Sequence, residues 1–284
     1  MDTALAATPT PASAIPSIAA DVLYRLLGGP HCPLIVDVRK AGAFDADDSM
    51  LPGALRVPPE SVASWSSTTH TKAIVVYCVH GHEVSQDAAK ALLARGYRAR
   101  FLEGGMDLWR EIGLPVMRKS TEFGIPRDRA TRWITRERPK IDRIACPWLV
   151  KRFIDPRAEF LYVPTSEVFD AAKTRQAIAY DIPGAPLEHD GDFCSFDAFL
   201  KAFAISDPAL DDLANIVRGA DTGRPQLTPQ SHGLLAVSLG LSHNFTDDHE
   251  MLAQGIVVYD ALYAWCRHAR DEHHNWKPSP AVTA

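Results

Sequence analysis

Apolar positions in the first 118 residues alternate between short unbroken runs and helical spacing. LIVDV (34–38), GALRVP (53–58), AIVVY (73–77) and RARFLEGG (98–105) have the short apolar character of strands bounded by turn residues. Between them, AADVLYRLL (19–27), SQDAAKALLARGY (85–97) and MDLWREI (106–112) have helical patterns. Gly96 and Gly113 stand where the second and third of these would stop. Strands separated by helices predict a parallel α/β sheet with helices on both faces.

Beyond residue 131 the pattern changes. Strands are expected at 132–135, EFLYVP (159–164) and AIAYDI (177–182), and helices at 147–154, 208–218, 229–239 and 246–268. A further helix is expected to begin near Ser195. The fold class is therefore α/β, followed by a helix-rich α+β domain. The expected division is a disordered leader (1–15), a first domain (16–118), a polar linker (119–131), a second domain (132–270) and a flexible tail (271–284). No internal repeat is visible.

Composition adds modest limits. The 284 residues suffice for two cores, with 46% hydrophobic and 23% charged residues and a net charge of -5. No run approaches the roughly 18 apolar residues of a membrane span, so no membrane partner is expected. The opening MDTALAATPTPASAIPS lacks the basic start and apolar stretch of an export signal. Cys32, Cys78, Cys146, Cys194 and Cys266 form no C-x-x-C pair, which predicts free thiols in a reducing cytoplasm. Residues 127–157 hold 10 basic and 4 acidic side chains, a local excess of +6. That belt fits an anion site or an acidic partner surface, and equally a solvated face.

The segment IVVYCVHGHEVSQDAAKALLARGY carries the clearest chemistry. It puts Cys78 at the carboxyl end of a strand, facing the start of the next helix. Ligands of open α/β sheets bind at that edge. The backbone N–H groups of loop 79–84 and the helix dipole would stabilise an anion on the sulfur, and Gly81 permits the tight turn. A packed structural cysteine is the alternative reading of that position.

Together with IVDVR (35–39), MLPGALRVP (50–58) and LEGGMDLW (102–109), the segment CVHGHEVS resembles the rhodanese-like sulfurtransferases over about residues 16–118. The resemblance implies a sulfane-sulfur carrier, Cys78, with a small-molecule sulfur donor and a thiol acceptor. It also implies a substrate site of Asp37, Arg39, Val79, His80, Gly81, His82, Glu83, Val84 and Ser85. Two departures stand out. Many relatives hold the donor's sulfonate with a loop arginine, whereas this loop offers His80, His82 and the acidic Glu83. The loop is also about one residue longer than in small sulfurtransferases. Relatives that process phosphate or arsenate carry arginine six positions after the cysteine, where this chain has Val84.

Residues 132–268 resemble the C-terminal domain of ChrB-type chromate-resistance proteins. The carrying segments are RERPKIDRIACPWLVKRFIDPRAEFLYVP (136–164), LEHDGDFCSFDAFL (187–200), IVRGADTGR (216–224), GLLAVSLGLS (233–242) and DDHEMLAQGIVVYDALYAWCR (247–267). The resemblance implies a role in resistance or response to chromate or another oxyanion. A rhodanese-like unit stands where full-length relatives have a different N-terminal region, so nucleic acid is not expected as a partner.

Two sites are expected in this half. A helix starting at Pro147 would put Cys146 at its N-terminus, with Arg143 and Arg152 nearby, as an anion or reactive-thiol site. His189, Cys194, Asp221 and His249 are candidate ligands for a metal ion. The bland alternatives are a packed Cys146, a helix-capping Cys194 and a hydrogen-bonded core His249. Two functions compete: a sulfurtransferase, or a non-enzymatic sensor of oxyanion or metal.

Overall fold

A computed structural model describes residues 14–66, 73–119, 121–127 and 129–272. Most of the expected leader and tail, 1–13 and 273–284, lies outside the described residues. The first region contains β1 (Ser17–Ile18), α1 (Ala20–Leu26), β2 (Leu34–Asp37), α2 (Ala41–Asp45), β3 (Ser49–Met50) and β4 (Leu55–Arg56). It continues with β5 (Ile74–Tyr77), α3 (Glu83–Ala94), β6 (Ala99–Leu102), α4 (Gly105–Glu111) and β7 (Met117–Arg118). Five strands form a parallel sheet in the order β1-β6-β5-β2-β4. The short β3 and β7 pair antiparallel beside it.

Alternation along the central strands explains why they are apolar throughout. Ile35, Val75 and Tyr77 point to one face, while Val36, Ile74 and Val76 point to the other. Ala88, Ala89 and Leu92 of α3 cover the second face. Leu23 of α1 with Met106 and Trp109 of α4 cover the first.

The second region opens with β8 (Arg132–Arg136), α5 (Asp142–Leu149), β9 (Glu159–Val163), α6 (Val168–Arg175) and β10 (Ile178–Ala179). Its three strands are parallel in the order β10-β8-β9. Then come α7 (Ser195–Phe203), α8 (Pro208–Asp221), α9 (Pro229–Asn244) and α10 (Asp248–Ala264). Local chemistry fixes several of these starts. Asp207, Thr228 and Asp247 accept hydrogen bonds from the first turns of α8, α9 and α10, and Pro208 and Pro229 stand at the first helical position.

The helix expected at 147–154 begins five residues earlier, at Asp142, and Pro147 lies inside it. Its end widens into a π turn over Val150–Ile154, closed by Asp155 N–H donating to the Val150 carbonyl at 2.8 Å. The misplaced start has a physical cause. Every residue from Ile144 to Val150 is buried, so packing outweighs the usual penalty of an internal proline.

The two regions share one core. Leu23, Leu27 and Trp109 from the first pack in the same cluster as Trp148, Phe153 and Tyr263 from the second. The Tyr24 hydroxyl donates to Asp207 at 2.8 Å, and the Arg267 guanidinium lies 4.0 Å from the Tyr24 ring while donating to the Leu27 carbonyl. Gly53 N–H donates to the Phe153 carbonyl at 2.5 Å. Within the expected linker, Phe123 packs edge-on against Trp133 and Phe203. No described helix is long and apolar enough to cross a membrane.

Candidate functional site

Cys78 follows β5 directly and opens the loop that ends in α3. Its thiol is largely buried, at 6% exposure, and donates to the Ser85 hydroxyl at 3.2 Å. Ser85 in turn donates to the His82 carbonyl at 3.1 Å, so one turn of α3 ties the sulfur to the loop. Among the described residues, no protein acceptor meets the backbone N–H groups from Val79 to Ser85. The loop therefore offers a row of donors beside one sulfur atom, at the amino end of a 12-residue helix.

The Gly-Gly turn before α4 holds this loop from behind. Met106 N–H donates to the Cys78 carbonyl and Asp107 N–H to the Val79 carbonyl, each at 3.0 Å. Gly81 (φ +70°) and Gly105 (φ +56°) meet back to back, and a Cβ on either would run into the other's segment. Both adopt left-handed backbone, so both suit glycine. His80 is exposed and pairs through Nδ1 with Asp107 at 2.7 Å. Its ring lies 5.9 Å from that of His82. Gln86 donates to the Gly81 carbonyl.

Asp37 and Arg39 require a correction. They were expected to touch substrate, yet their side chains are 0% and 1% exposed and bound to each other at 2.6 Å. Tyr77 donates to Asp37 at 2.7 Å, and Arg39 also reaches Asp47. Burial first, then Asp37, push the Tyr77 hydroxyl well above its ordinary value. This network braces the carboxyl ends of β2 and β5 from below and presents nothing to the loop surface.

The second region corrects several more expectations. Cys146 lies inside α5 at 0% exposure, and burial followed by the nearby Asp142 pushes its thiol well above the usual range. It is no activated helix-start thiol. Arg143 pairs with Asp181 at 3.1 Å and Arg152 with Asp260 at 2.7 Å, so the three residues expected to attract an anion do not share one. Much of the basic belt resolves into separate partners. Arg132 pairs with Glu159 and Arg157 with Asp155, while Arg138 donates to carbonyls at the end of α9.

The expected metal ligands separate as well. His189 Nε2 and Asp221 Oδ2 lie 3.2 Å apart. Cys194 instead caps α7, its N–H donating to Asp197 at 3.0 Å. His249 is exposed, sits edge-on to Tyr162 at 5.5 Å, and falls outside the group around His189. Asp142 and Asp181, which sequence reading passed over, take their places. His189 Nε2 lies 3.1 Å from Asp142 Oδ2 and 3.3 Å from Asp181 Oδ1. Hydrogen bonds to Asp142, Asp181 and Asp221 push the imidazole up to about 12. Ile141, immediately before Asp142, has φ +38°, a strained value for a β-branched residue. That strain is not readable from the residue type, and no local spacing joins the four separate segments.

Comparison with known proteins matches both halves. Residues 19–112 match the rhodanese-like domain family, and residues 133–266 match the ChrB C-terminal domain family. The first part of the chain is thus similar to rhodanese-like domains and the second to ChrB C-terminal domains. Protein ChrB of Cupriavidus metallidurans is 34% identical over 132 residues, which is 46% of this chain and 39% of that protein. The chain thus spans well under half of that relative's length. Among solved structures, a rhodanese-related protein of Thermoplasma volcanium is 26% identical, with a TM-score of 0.30, over 36% of this chain and 96% of that one. A rhodanese homolog of Thermus thermophilus is 31% identical, with a TM-score of 0.27, over 32% of this chain and 96% of that one.

Proposed function

We propose that the protein is a rhodanese-type sulfurtransferase that carries sulfane sulfur on Cys78 and acts in chromate or oxyanion stress in a reducing cytoplasm. The observation that carries the reading is the Cys78 loop: one thiol, the Ser85 hydroxyl 3.2 Å away, and a run of backbone N–H groups that meet no acceptor among the described residues. The five free cysteines, with no disulfide among them, fit the compartment. The fusion to a ChrB C-terminal domain supplies the resistance context.

The proposed chemistry is a pair of displacements at sulfur. The Cys78 thiolate attacks the outer sulfur of a donor persulfide. The donor's S–S bond breaks, its thiolate leaves, and Cys78 becomes a persulfide. An acceptor thiolate then attacks the outer sulfur, and the Cys78 thiolate leaves as the new persulfide forms. The two displacements balance, with no external oxidant or reductant. The loop N–H groups and, once its hydroxyl turns, Ser85 would hold the negative charge on either sulfur.

The absence of a cation in the loop sets the donor. His80 and His82 supply hydrogen bonds but no fixed positive charge for the sulfonate end of thiosulfate. Cys78→Ser should abolish transfer while leaving the unfolding temperature close to that of the parent. Steady-state rates should favour a small-molecule persulfide over thiosulfate. A serine variant that keeps parental transfer would sink the assignment of Cys78, and a preference for thiosulfate would sink the account of the loop.

A further inference from the structure

The cluster around His189 belongs to no part of the sulfur chemistry. Four carboxylate and imidazole groups from four separate segments meet there: Asp142 at the start of α5, Asp181 after β10, His189 on the following loop, and Asp221 at the end of α8. One nitrogen, His189 Nε2, stands 3.1, 3.3 and 3.2 Å from oxygens of Asp142, Asp181 and Asp221. An imidazole nitrogen has one proton to give and cannot serve three acceptors. All three separations also exceed the roughly 2.7–2.9 Å of a charge-assisted hydrogen bond. Two ligand atoms across one ion at bonds of about 2.0–2.2 Å stand about 3.0–3.5 Å apart, the range of these three distances from His189 Nε2.

A second observation is independent of those distances. Asp142 has a side chain only 3% exposed, and among the described residues no lysine or arginine pairs with it. Besides His189 it receives one long contact, from Ser195 N–H at 3.4 Å. A buried carboxylate held this loosely is costly unless a cation completes it. Asp181 differs, because Arg136 and Arg143 both reach it at 3.1 Å. Setting Asp181 aside as already neutralised leaves the carboxylates of Asp142 and Asp221 and the imidazole of His189 as the donor set, and an ion bound there would take the place of the imidazole proton they now surround. A divalent ion balances that set.

We infer that Asp142, His189 and Asp221 bind one divalent transition-metal ion, with Asp181 bordering it. Ligand atoms of these three lie within 4.8 Å of one another. Two carboxylates and one imidazole suit a borderline ion such as Mn²⁺, Fe²⁺ or Zn²⁺ better than thiophilic Cu⁺. Three protein ligands leave coordination positions open. His189 is 42% exposed and lines a cleft of about 980 Å³ with Phe193, Cys194, Asp197, Lys201 and Arg218, so those positions can face solvent or a bound anion.

The test uses the full chain, stripped with a chelator and dialysed against Mn²⁺, Zn²⁺ or Co²⁺, with elemental analysis of the protein. One equivalent of ion is expected, with a rise in unfolding temperature. The Co²⁺ form should show d–d bands and no sulfur-to-cobalt charge-transfer band. Asp142→Asn should lose the stoichiometric ion. Because that change is buried, His189→Gln on the exposed loop gives the same reading with less risk to folding, and circular dichroism checks both variants. No ion retained by the parent would overturn the inference, as would full binding in folded His189→Gln. A thiolate band would also overturn it, by assigning the ion to Cys194 or Cys146. Sulfur transfer by Cys78 is measured separately, so the two readings stand or fall apart.

Discussion

Adding one methyl group at Gly105 tests whether the Gly-Gly turn really holds the cysteine loop. In Gly105→Ala the new Cβ would stand 2.6 Å from Gly81 N and 2.6 Å from the Val79 carbonyl oxygen, and closer still to that of Cys78. All three are backbone atoms that cannot rotate away. The left-handed backbone costs an alanine about 1–2 kcal/mol, and forcing the overlap apart about 1–3 kcal/mol more. The sum is about 2–5 kcal/mol. Displacing the loop by about 1 Å should also slow transfer about a hundredfold. Gly113→Ala is the matched control. It has φ +74° but no atom within 4 Å of the added Cβ, so it carries only the backbone cost and should keep the parental rate. Urea denaturation gives the two stabilities and persulfide-to-thiol assays the two rates. Equal stability losses in both variants, with parental transfer in Gly105→Ala, would refute the bracing role.

Two further outcomes follow from the packing and the buried charges. Phe153→Ala, which empties a site between Trp148 and Tyr263 at ring separations of 5.7 and 5.5 Å, should cost about 3–5 kcal/mol. Because the core is shared, calorimetry should show one unfolding transition for the whole chain, and two separate transitions would contradict that view. Burial opposes the charge on Asp47, but hydrogen bonds from Arg110 and Ser49 and the charge of Arg39 hold its carboxyl below the usual range. A depressed carboxylate stabilises the fold above its unfolded pKa and loses that contribution as pH falls through the folded value. The stability gap between parent and Asp47→Asn should therefore be present at neutral pH and close in acid; a gap that widens in acid would reverse the sign.

The first domain was legible because its signals are local. Apolar strands, a helix ended at Gly96 and the Cys78 loop each occupy one short stretch, and the structure puts them where that stretch implies. The short α2 and the edge strand Ser17–Ile18 were not visible, being too brief to show a period. α6 also escaped, since only Val168 of its eight residues is buried. Asp37 and Arg39 misled because a strand-end Asp-x-Arg looks the same whether it faces a ligand or a neighbour. Only the positions of Tyr77 and Asp47 decide that, and Tyr77 lies 40 residues from Asp37. The His189 cluster is non-local throughout. Asp142 lies before the helix expected at 147–154, and nothing in the chain announces that three other segments will converge on it.

The most direct measurement of the central claim is peptide mass spectrometry of the full chain after exposure to a small-molecule persulfide and rapid alkylation. The account predicts one extra sulfur atom on the peptide containing Cys78, lost again on adding an acceptor thiol. It predicts none on those containing Cys146 or Cys194, which are wholly buried. An unmodified Cys78 peptide, or sulfur accumulating on another cysteine, would contradict it.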